Sequence, residues 1–245
     1  MINYSIHAEY LKIKRSSFKR FLIIFPISFN ILILGYIFLT KQSITNDKFF
    51  FNYFSILTFL LPAVVCFLMT LLWDIEKEPS NLKNILGLGG YHQKLISLKF
   101  IFAFLTITLM YLVNLFFTII IFIILKTGID VIVHFIFGYL ICWALFLTTF
   151  VIFYFMNILF SFTTMMLIAA TGSLLTAIVG LTSLGNSFWL LVPFSWSSRM
   201  TTLLANNDHV IPIIIANKIL IIILVLSAIP SYYLLKSITL FIIRR

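Results

Sequence analysis

Charged residues are scarce in this chain, and the reactive side chains that are present do not cluster. Asp, Glu, Lys and Arg make up 10% of the 245 residues, whereas 62% are hydrophobic. The two cysteines, Cys66 and Cys142, lie inside apolar runs, so no disulfide framework is expected and both are predicted to be small buried side chains. The four histidines lie in separate segments without metal-ligand spacing: His7, His92, His134 and His209. The sequence therefore predicts neither a catalytic constellation nor a metal site.

A phosphate-binding loop is also missing. The glycine-rich stretch GLGGYHQK, which begins at Gly87, lacks both the spacing of G-x-x-x-x-G-K-[ST] and the strand that precedes such a loop. No polar stretch exceeds roughly thirty residues, which is shorter than the ~40 residues that usually fold alone. We therefore expect this chain to be no enzyme, to hold no cofactor and to hydrolyse no ATP by itself.

What the sequence has in abundance is long apolar runs. A mean hydropathy of +1.15 suits a bilayer rather than water. Six runs are long enough to cross about 30 Å of hydrocarbon at 1.5 Å per residue. They cover residues 21–40, 54–73, 98–125, 131–155, 163–184 and 211–235. Because the runs do not alternate, they favour helices over barrel strands. We predict an all-α polytopic membrane protein with one transmembrane domain over residues 1–245 and no removable signal peptide.

Lysine and arginine are distributed unevenly around these runs. If both termini are cytoplasmic, twelve of the 17 lie on the cytoplasmic side and five on the other. The positive-inside rule therefore predicts that both termini are in the cytoplasm. The net charge of +10 then faces anionic lipid headgroups, and without a basic-aromatic module we expect no nucleic-acid partner.

Two polar segments are predicted on the cytoplasmic side. Residues 1–20 place apolar side chains at roughly helical spacing among basic residues, which favours a helix in the headgroup layer, either as a membrane anchor or as a partner contact. Residues 74–97 form an elbow between the second and third runs. Its acids precede Pro79, and Leu82, Ile85 and Leu86 then share one face before a glycine-rich bend. This face is suited either to docking a partner or to resting on the membrane.

Residues 186–210 form a polar segment on the outer side, before the sixth run. Trp189 and Trp196 fit the aromatic belt of a membrane interface, and Pro193 interrupts a continuing helix. The segment is predicted either to re-enter the membrane or to lie on the outer leaflet.

Inside the apolar runs the polar groups are amides and hydroxyls rather than ionisable groups. Asn30, Asn114 and Asn157 are interpreted as hydrogen-bonding groups between helices rather than as substrate ligands. The scarcity of charge argues against a gradient-driven carrier. It favours amphipathic or lipid-like cargo, or a protein powered from outside.

The elbow carries a motif, E-x-E-x-x-x-x-x-N-x-L…K, formed here by Glu76, Glu78, Asn84, Leu86 and Lys99. With this motif and P-F-S-W at residues 193–196, the chain resembles the permeases of type-2 ABC exporters, and the lantibiotic-immunity permeases in particular. The sequence Pro79-Ser80 departs from the small residues and glycine that the family more often has there.

The resemblance implies a multi-pass protein of the bacterial cell membrane in which the elbow is a coupling helix seated on a separate ATPase subunit. The implied coupling residues are Glu76, Glu78, Leu82, Asn84, Ile85, Leu86, Tyr91 and Lys99. Two copies of that cytoplasmic subunit would bind ATP and Mg. A second permease, identical or a sibling, would complete the transporter, and the cargo would be an amphipathic peptide antibiotic in contact with membrane lipid.

Three other functions stay open at this point. The cargo of such an exporter is alternatively a toxic peptide, a lipid or a drug. The chain is alternatively a membrane scaffold that transports nothing. A membrane-embedded enzyme is disfavoured, because no acid, base and nucleophile gather at one depth.

Overall fold

The computed structural model describes residue 11 and residues 16–40, 47–77 and 92–205. Within these ranges the chain is helical and has no strand. Five long helices come first: α1 (Ser17–Thr40), α2 (Asp47–Lys77), α3 (His92–Ile124), α4 (Ile129–Leu159) and α5 (Phe162–Leu175). α5 continues as a π-helical turn, Thr176–Gly180. Three short 3-10 helices and the helix α6 follow: Ser183–Ser187, Trp189–Leu191, Pro193–Ser195 and α6 (Trp196–Ala205).

Five helical segments are long and apolar enough to cross a membrane, and they overlap the first five predicted runs. They are Ser17–Thr40, Asp47–Asp74, Leu98–Ile124, Ile129–Leu159 and Phe162–Gly180. A continuous apolar run of this length forms a helix because a helix satisfies its backbone hydrogen bonds internally. The predicted sixth run at 211–235, most of the segment 1–20 and residues 78–91 of the elbow lie outside the described residues.

The helix ends differ from the predicted run ends. α2 begins at Asp47 rather than at residue 54, since polar residues continue a helix and an acid in its first turn complements the helix dipole. The fifth run ends its π-helical turn at Gly180 rather than at residue 184. The chain leaves the helix there because the Thr182 side chain accepts a hydrogen bond from the backbone N–H of Leu184 and caps the first 3-10 helix.

α2 lies at the centre of the described bundle. It packs against α4, α5 and α6, whereas α1 packs mainly against α3. Phe50 and Phe54 of α2 meet α4 at Gly138, where an added Cβ would lie 2.7–2.9 Å from their ring carbons. The close approach of these two helices therefore depends on the missing side chain at residue 138. Both cysteines are buried and free, as predicted.

The apolar side chains on the outside of the bundle are large. Ile31 on α1, Phe116 on α3 and Leu167 on α5 are each more than 60% exposed in the described chain. Surfaces of this kind are compatible with lipid rather than with water.

The segment that follows α5 packs among the long helices. The Phe194 ring lies 5.6 Å from the Phe153 ring of α4, and an added Cβ at Gly172 of α5 would be 3.3 Å from it. Nearer the start of α4, Ile141 forms a cluster with Trp196 and Met200 of α6. Phe194 and α6 are therefore part of the packed core, whereas Leu184, Leu190 and Leu191 before them are each more than half exposed.

Candidate functional site

A network of amides and hydroxyls joins four of the long helices. Asn30 of α1 donates through Nδ2 to Oδ1 of Asn114 of α3 at 2.5 Å, and the Thr118 hydroxyl lies 3.1 Å from Asn30 Oδ1. The Tyr53 hydroxyl of α2 lies 2.8 Å from Thr118 Oγ1 and is hydrogen-bonded to the Tyr139 hydroxyl of α4. Each of these side chains is at most 4% exposed. We call these five residues the polar network.

The polar network has the chemistry of a helix-packing element. Its members are neutral amides, phenols and one alcohol, so it offers hydrogen bonds without a charged acid or base. A polar group without a partner is costly in an apolar surrounding, so these contacts restrict how α1 to α4 slide past one another. The arrangement therefore fixes helix register.

Removing the hydrogen bond between Asn30 and Asn114 is expected to reveal a measurable coupling. We predict that Asn30→Leu and Asn114→Leu are non-additive, with an interaction energy of about 0.6 kcal/mol and an upper limit of about 1.7 kcal/mol. The measurement is a double-mutant cycle on the free energy of unfolding in mild detergent. Asn30→Leu combined with Asn157→Leu is the matched control and should be additive, because these residues share no partner. An additive Asn30 and Asn114 pair would contradict the network.

A second polar contact lies near the end of α2 that precedes the elbow. The Thr70 hydroxyl is 2.9 Å from Oδ1 of Asn157 of α4, whose Nδ2 donates to the backbone oxygen of Phe153 at 2.9 Å. The Cys66 thiol donates to the backbone oxygen of Met165 of α5 at 3.2 Å. α2 is thus hydrogen-bonded to both α4 and α5 at this end.

A buried lysine lies beside this second contact. Lys99 of α3 is 4% exposed, and its Nζ is 4.4 Å from the centre of the Trp73 ring of α2. The Tyr154 ring of α4 lies 5.6 Å from the Trp73 ring and 5.0 Å from the Phe100 ring, to which it is perpendicular. A cation over an aromatic face is attracted by the ring quadrupole, and more strongly where water is excluded. Side chains of three helices therefore meet at the Trp73 ring, which contacts Lys99 of α3 and Tyr154 of α4.

The structure describes the backbone of two of the predicted coupling residues, Glu76 and Lys99. Lys99 is described and buried, and Glu76 belongs to α2, although its side chain lies outside the described atoms. The others lie outside the described residues: Glu78, Leu82, Asn84, Ile85, Leu86 and Tyr91.

The predicted outer-side residues lie close together. Pro193 begins a 3-10 helix, and the Trp196 indole N–H donates to the backbone oxygen of Leu190 at 3.0 Å. The Ser195 hydroxyl donates to the backbone oxygen of Trp189 at 3.1 Å. These hydrogen bonds hold the turn that leads into α6.

Sequence reasoning missed the hydroxyl and aromatic partners of the polar residues. Tyr53, Thr118 and Tyr139 form most of the polar network, and the Trp73 ring contacts both Lys99 and Tyr154, yet each of these aromatic and hydroxyl residues looks like an ordinary member of an apolar run. Of these residues, Trp73 alone could have been singled out from the sequence. It ends the second apolar run, and Lys99 lies at the start of the third, so the two residues are expected near the same end of neighbouring helices.

Comparison with known proteins gave one family. Residues 5–183 match the sequence model described as ABC-2 family transporter protein, and this range covers most of the chain. No curated protein and no solved structure matches. The family match and the five apolar helices agree with each other, and we conclude that this chain is a multi-pass membrane protein that belongs to the ABC-2 transporter family.

Proposed function

We propose that the chain is the permease subunit of an ABC exporter that expels an amphipathic peptide antibiotic, as lantibiotic self-immunity requires. The match to the ABC-2 family over residues 5–183 carries the permease role. Members of this family are membrane transport components that generally lack an ATPase site of their own and normally work with an ATPase partner. The resemblance of the elbow motif and of residues 193–196 to lantibiotic-immunity permeases supports the peptide cargo.

The polarity of the described interior is compatible with such a cargo. Among the residues that the structure describes, Lys99 is the one charged side chain that is buried, and it lies at one end of the bundle. A path for small ions normally keeps acids or bases near the middle of the membrane. A described interior without such groups, together with the large apolar side chains on the outside of the bundle, suits an amphipathic molecule that moves along helix surfaces and lipid.

The energy is proposed to come from two copies of a cytoplasmic ATPase subunit, which bind ATP and Mg. The elbow at 74–97 is proposed as the coupling helix that these subunits contact, with Glu76, Glu78 and Leu86 in the motif. A second permease, identical to this chain or a sibling, completes the transporter. The interfacial segment 1–20 is proposed as a further contact on the same side.

The proposed topology has six spans and cytoplasmic termini, with 211–235 as the last span. The lysine and arginine bias supports this orientation. The contacts of Trp196 and Met200 with Ile141 in α4 support a segment that re-enters the membrane before the last span.

Two measurements test this function. The chain, isolated with a C-terminal tag in mild detergent, is expected to co-purify with an ATPase subunit. Cells that lack the gene are expected to become more sensitive to a nisin-like peptide and to stay unchanged toward unrelated drugs.

Other results would replace the proposal by one of its alternatives. Sensitivity to drugs or lipids alone would indicate an exporter with another cargo. Loss of a membrane complex with unchanged sensitivity to every compound would indicate a scaffold. Isolation without any ATPase would remove the energy source and overturn the proposal.

A further inference from the structure

The ends of α2 and α3 that flank the elbow meet in the folded bundle. Trp73 lies one turn before the end of α2, and Lys99 lies two turns into α3. These residues are 26 positions apart in the sequence, yet Lys99 Nζ is 4.4 Å from the Trp73 ring centre. The contact therefore joins α2 and α3 close to the two points at which these helices adjoin the elbow.

We propose that Trp73, Lys99, Phe100 and Tyr154 form a brace that transmits movement of the α2 and α3 ends to α4. The inference rests on the proposed function, because the movement originates in an ATPase that acts on the segment between α2 and α3. The brace assigns a positioning role to four residues, of which the elbow motif includes Lys99 alone.

Tyr154 makes the brace a three-helix contact. Its ring lies 5.6 Å from Trp73 of α2 and 5.0 Å from Phe100 of α3, so one side chain of α4 touches both flanking helices. It is fully buried, which leaves it no room to turn away when either neighbour moves. A shift of α2 or α3 therefore pushes α4 directly.

The hydrogen bond between Thr70 and Asn157 reinforces the brace. Thr70 is three residues before Trp73, and Asn157 is three residues after Tyr154, so the bond joins the same faces of α2 and α4 at nearly the same depth as the contact between the Trp73 and Tyr154 rings. Two contacts on one face resist both sliding and rotation. The end of α2 and the end of α4 consequently move together.

The charge on Lys99 is the feature that simple packing does not explain. A buried ammonium group loses hydration, whereas methionine or leucine would fill a similar volume without that loss. Lys99 lies in the first turn of the apolar segment Leu98–Ile124, where a lysine ordinarily extends its ammonium group toward water, yet this side chain is buried. Attraction between the cation and the Trp73 face depends on distance and direction, so it holds α3 against α2 in one arrangement.

The test separates ATP hydrolysis from transport. The complex of this chain with its co-purified ATPase is reconstituted in liposomes, and both ATP hydrolysis and movement of a nisin-like peptide are measured. Lys99→Met is expected to leave assembly and ATP hydrolysis in place while peptide movement falls about tenfold. Lys99→Arg keeps a cation that can lie over the ring and is expected to retain peptide movement within about twofold of the wild-type rate.

Two further variants keep the test decisive. Trp73→Phe retains an aromatic ring with weaker attraction for a cation, and is expected to give an intermediate loss of movement with ATP hydrolysis retained; it decides the question if Lys99→Met fails to fold. Trp143→Phe is the matched control. Trp143 also joins α4 to α3, where its ring lies 6.2 Å from Phe104, and both activities should stay at the wild-type level.

The outcomes distinguish the two proposals. A wild-type complex that hydrolyses ATP and moves no peptide overturns the proposed function, and the brace with it. A wild-type complex that moves peptide, together with folded Lys99→Met or Trp73→Phe variants that move it equally well, overturns the brace alone. Proportional loss of ATP hydrolysis and movement in these variants assigns the four residues a purely structural role and also overturns it.

Discussion

Replacing Gly138 with leucine is expected to destabilise the bundle by about 3 kcal/mol, the upper end of the usual effect of an overpacked core. An added Cβ would lie 2.7 Å from Phe54 Cζ and 2.9 Å from Phe50 Cζ, which is closer than carbon atoms approach without displacement. Both rings are buried, and both also contact Phe135, so neither has space to retreat. The separation of α2 and α4 must therefore increase.

The measurement is the free energy of unfolding in mild detergent, with the yield of monodisperse protein recorded beside it. Gly35→Leu is the matched control on α1, because an added Cβ at Gly35 meets no heavy atom within 4 Å. Its effect on the free energy of unfolding should stay within about 0.5 kcal/mol. Equal effects of the two substitutions would contradict the close packing of α2 on α4.

Replacing Leu86 with aspartate is expected to abolish peptide resistance without preventing membrane insertion. Under the proposed function, Leu86 belongs to the apolar face that docks in the ATPase, and an aspartate placed there loses hydration without a paired cation. Residue 86 lies between the predicted second and third spans, so the new charge crosses no membrane. We expect resistance to fall about tenfold or more while the amount of protein in the membrane is unchanged.

The measurements are the inhibitory concentration of a nisin-like peptide and the quantity of tagged chain in membrane fractions. Leu86→Met keeps an apolar side chain of similar volume and should retain resistance. Unchanged resistance in Leu86→Asp would refute the docking role. If Leu86→Asp or Glu78→Gln disrupted a complex while resistance stayed intact, the scaffold alternative would gain support.

Five spans could be predicted because the bilayer simplifies the folding problem. In hydrocarbon every backbone N–H and C=O must be satisfied locally, so the positions of the apolar runs identify the helices. The ends could not be predicted to the same precision. Asp47 and Lys77 extend α2 beyond its apolar run, since helical hydrogen bonds continue through polar residues once the chain leaves hydrocarbon.

The candidate site shows a similar division. Asn30, Asn114 and Asn157 could be singled out because an amide inside an apolar run requires a partner. Their partners could not be named. The Asn114 side chain bonds Asn30, which is 84 positions away, while Thr70 is the partner of Asn157 across 87 positions. Pairing at such distances depends on the rotation and depth of whole helices.

The placement of residues 186–210 could not be predicted from the sequence. Two tryptophans and a proline predicted an interfacial segment, yet a loop on the membrane and a segment among the helices have the same composition. The packing of Trp196 and Met200 against Ile141 is a tertiary contact. It depends on the space between α2, α4 and α5, which no local pattern encodes.

The sequence by itself determined the membrane class, the five described spans and the polar residues that require partners, because solvation in a bilayer acts on each segment separately. The tertiary structure alone decided which side chains meet, including the four-helix polar network and the contact of Lys99 with Trp73. The reason is physical. Hydropathy and backbone hydrogen bonding are local properties, whereas side-chain contacts arise when several helices pack in one register.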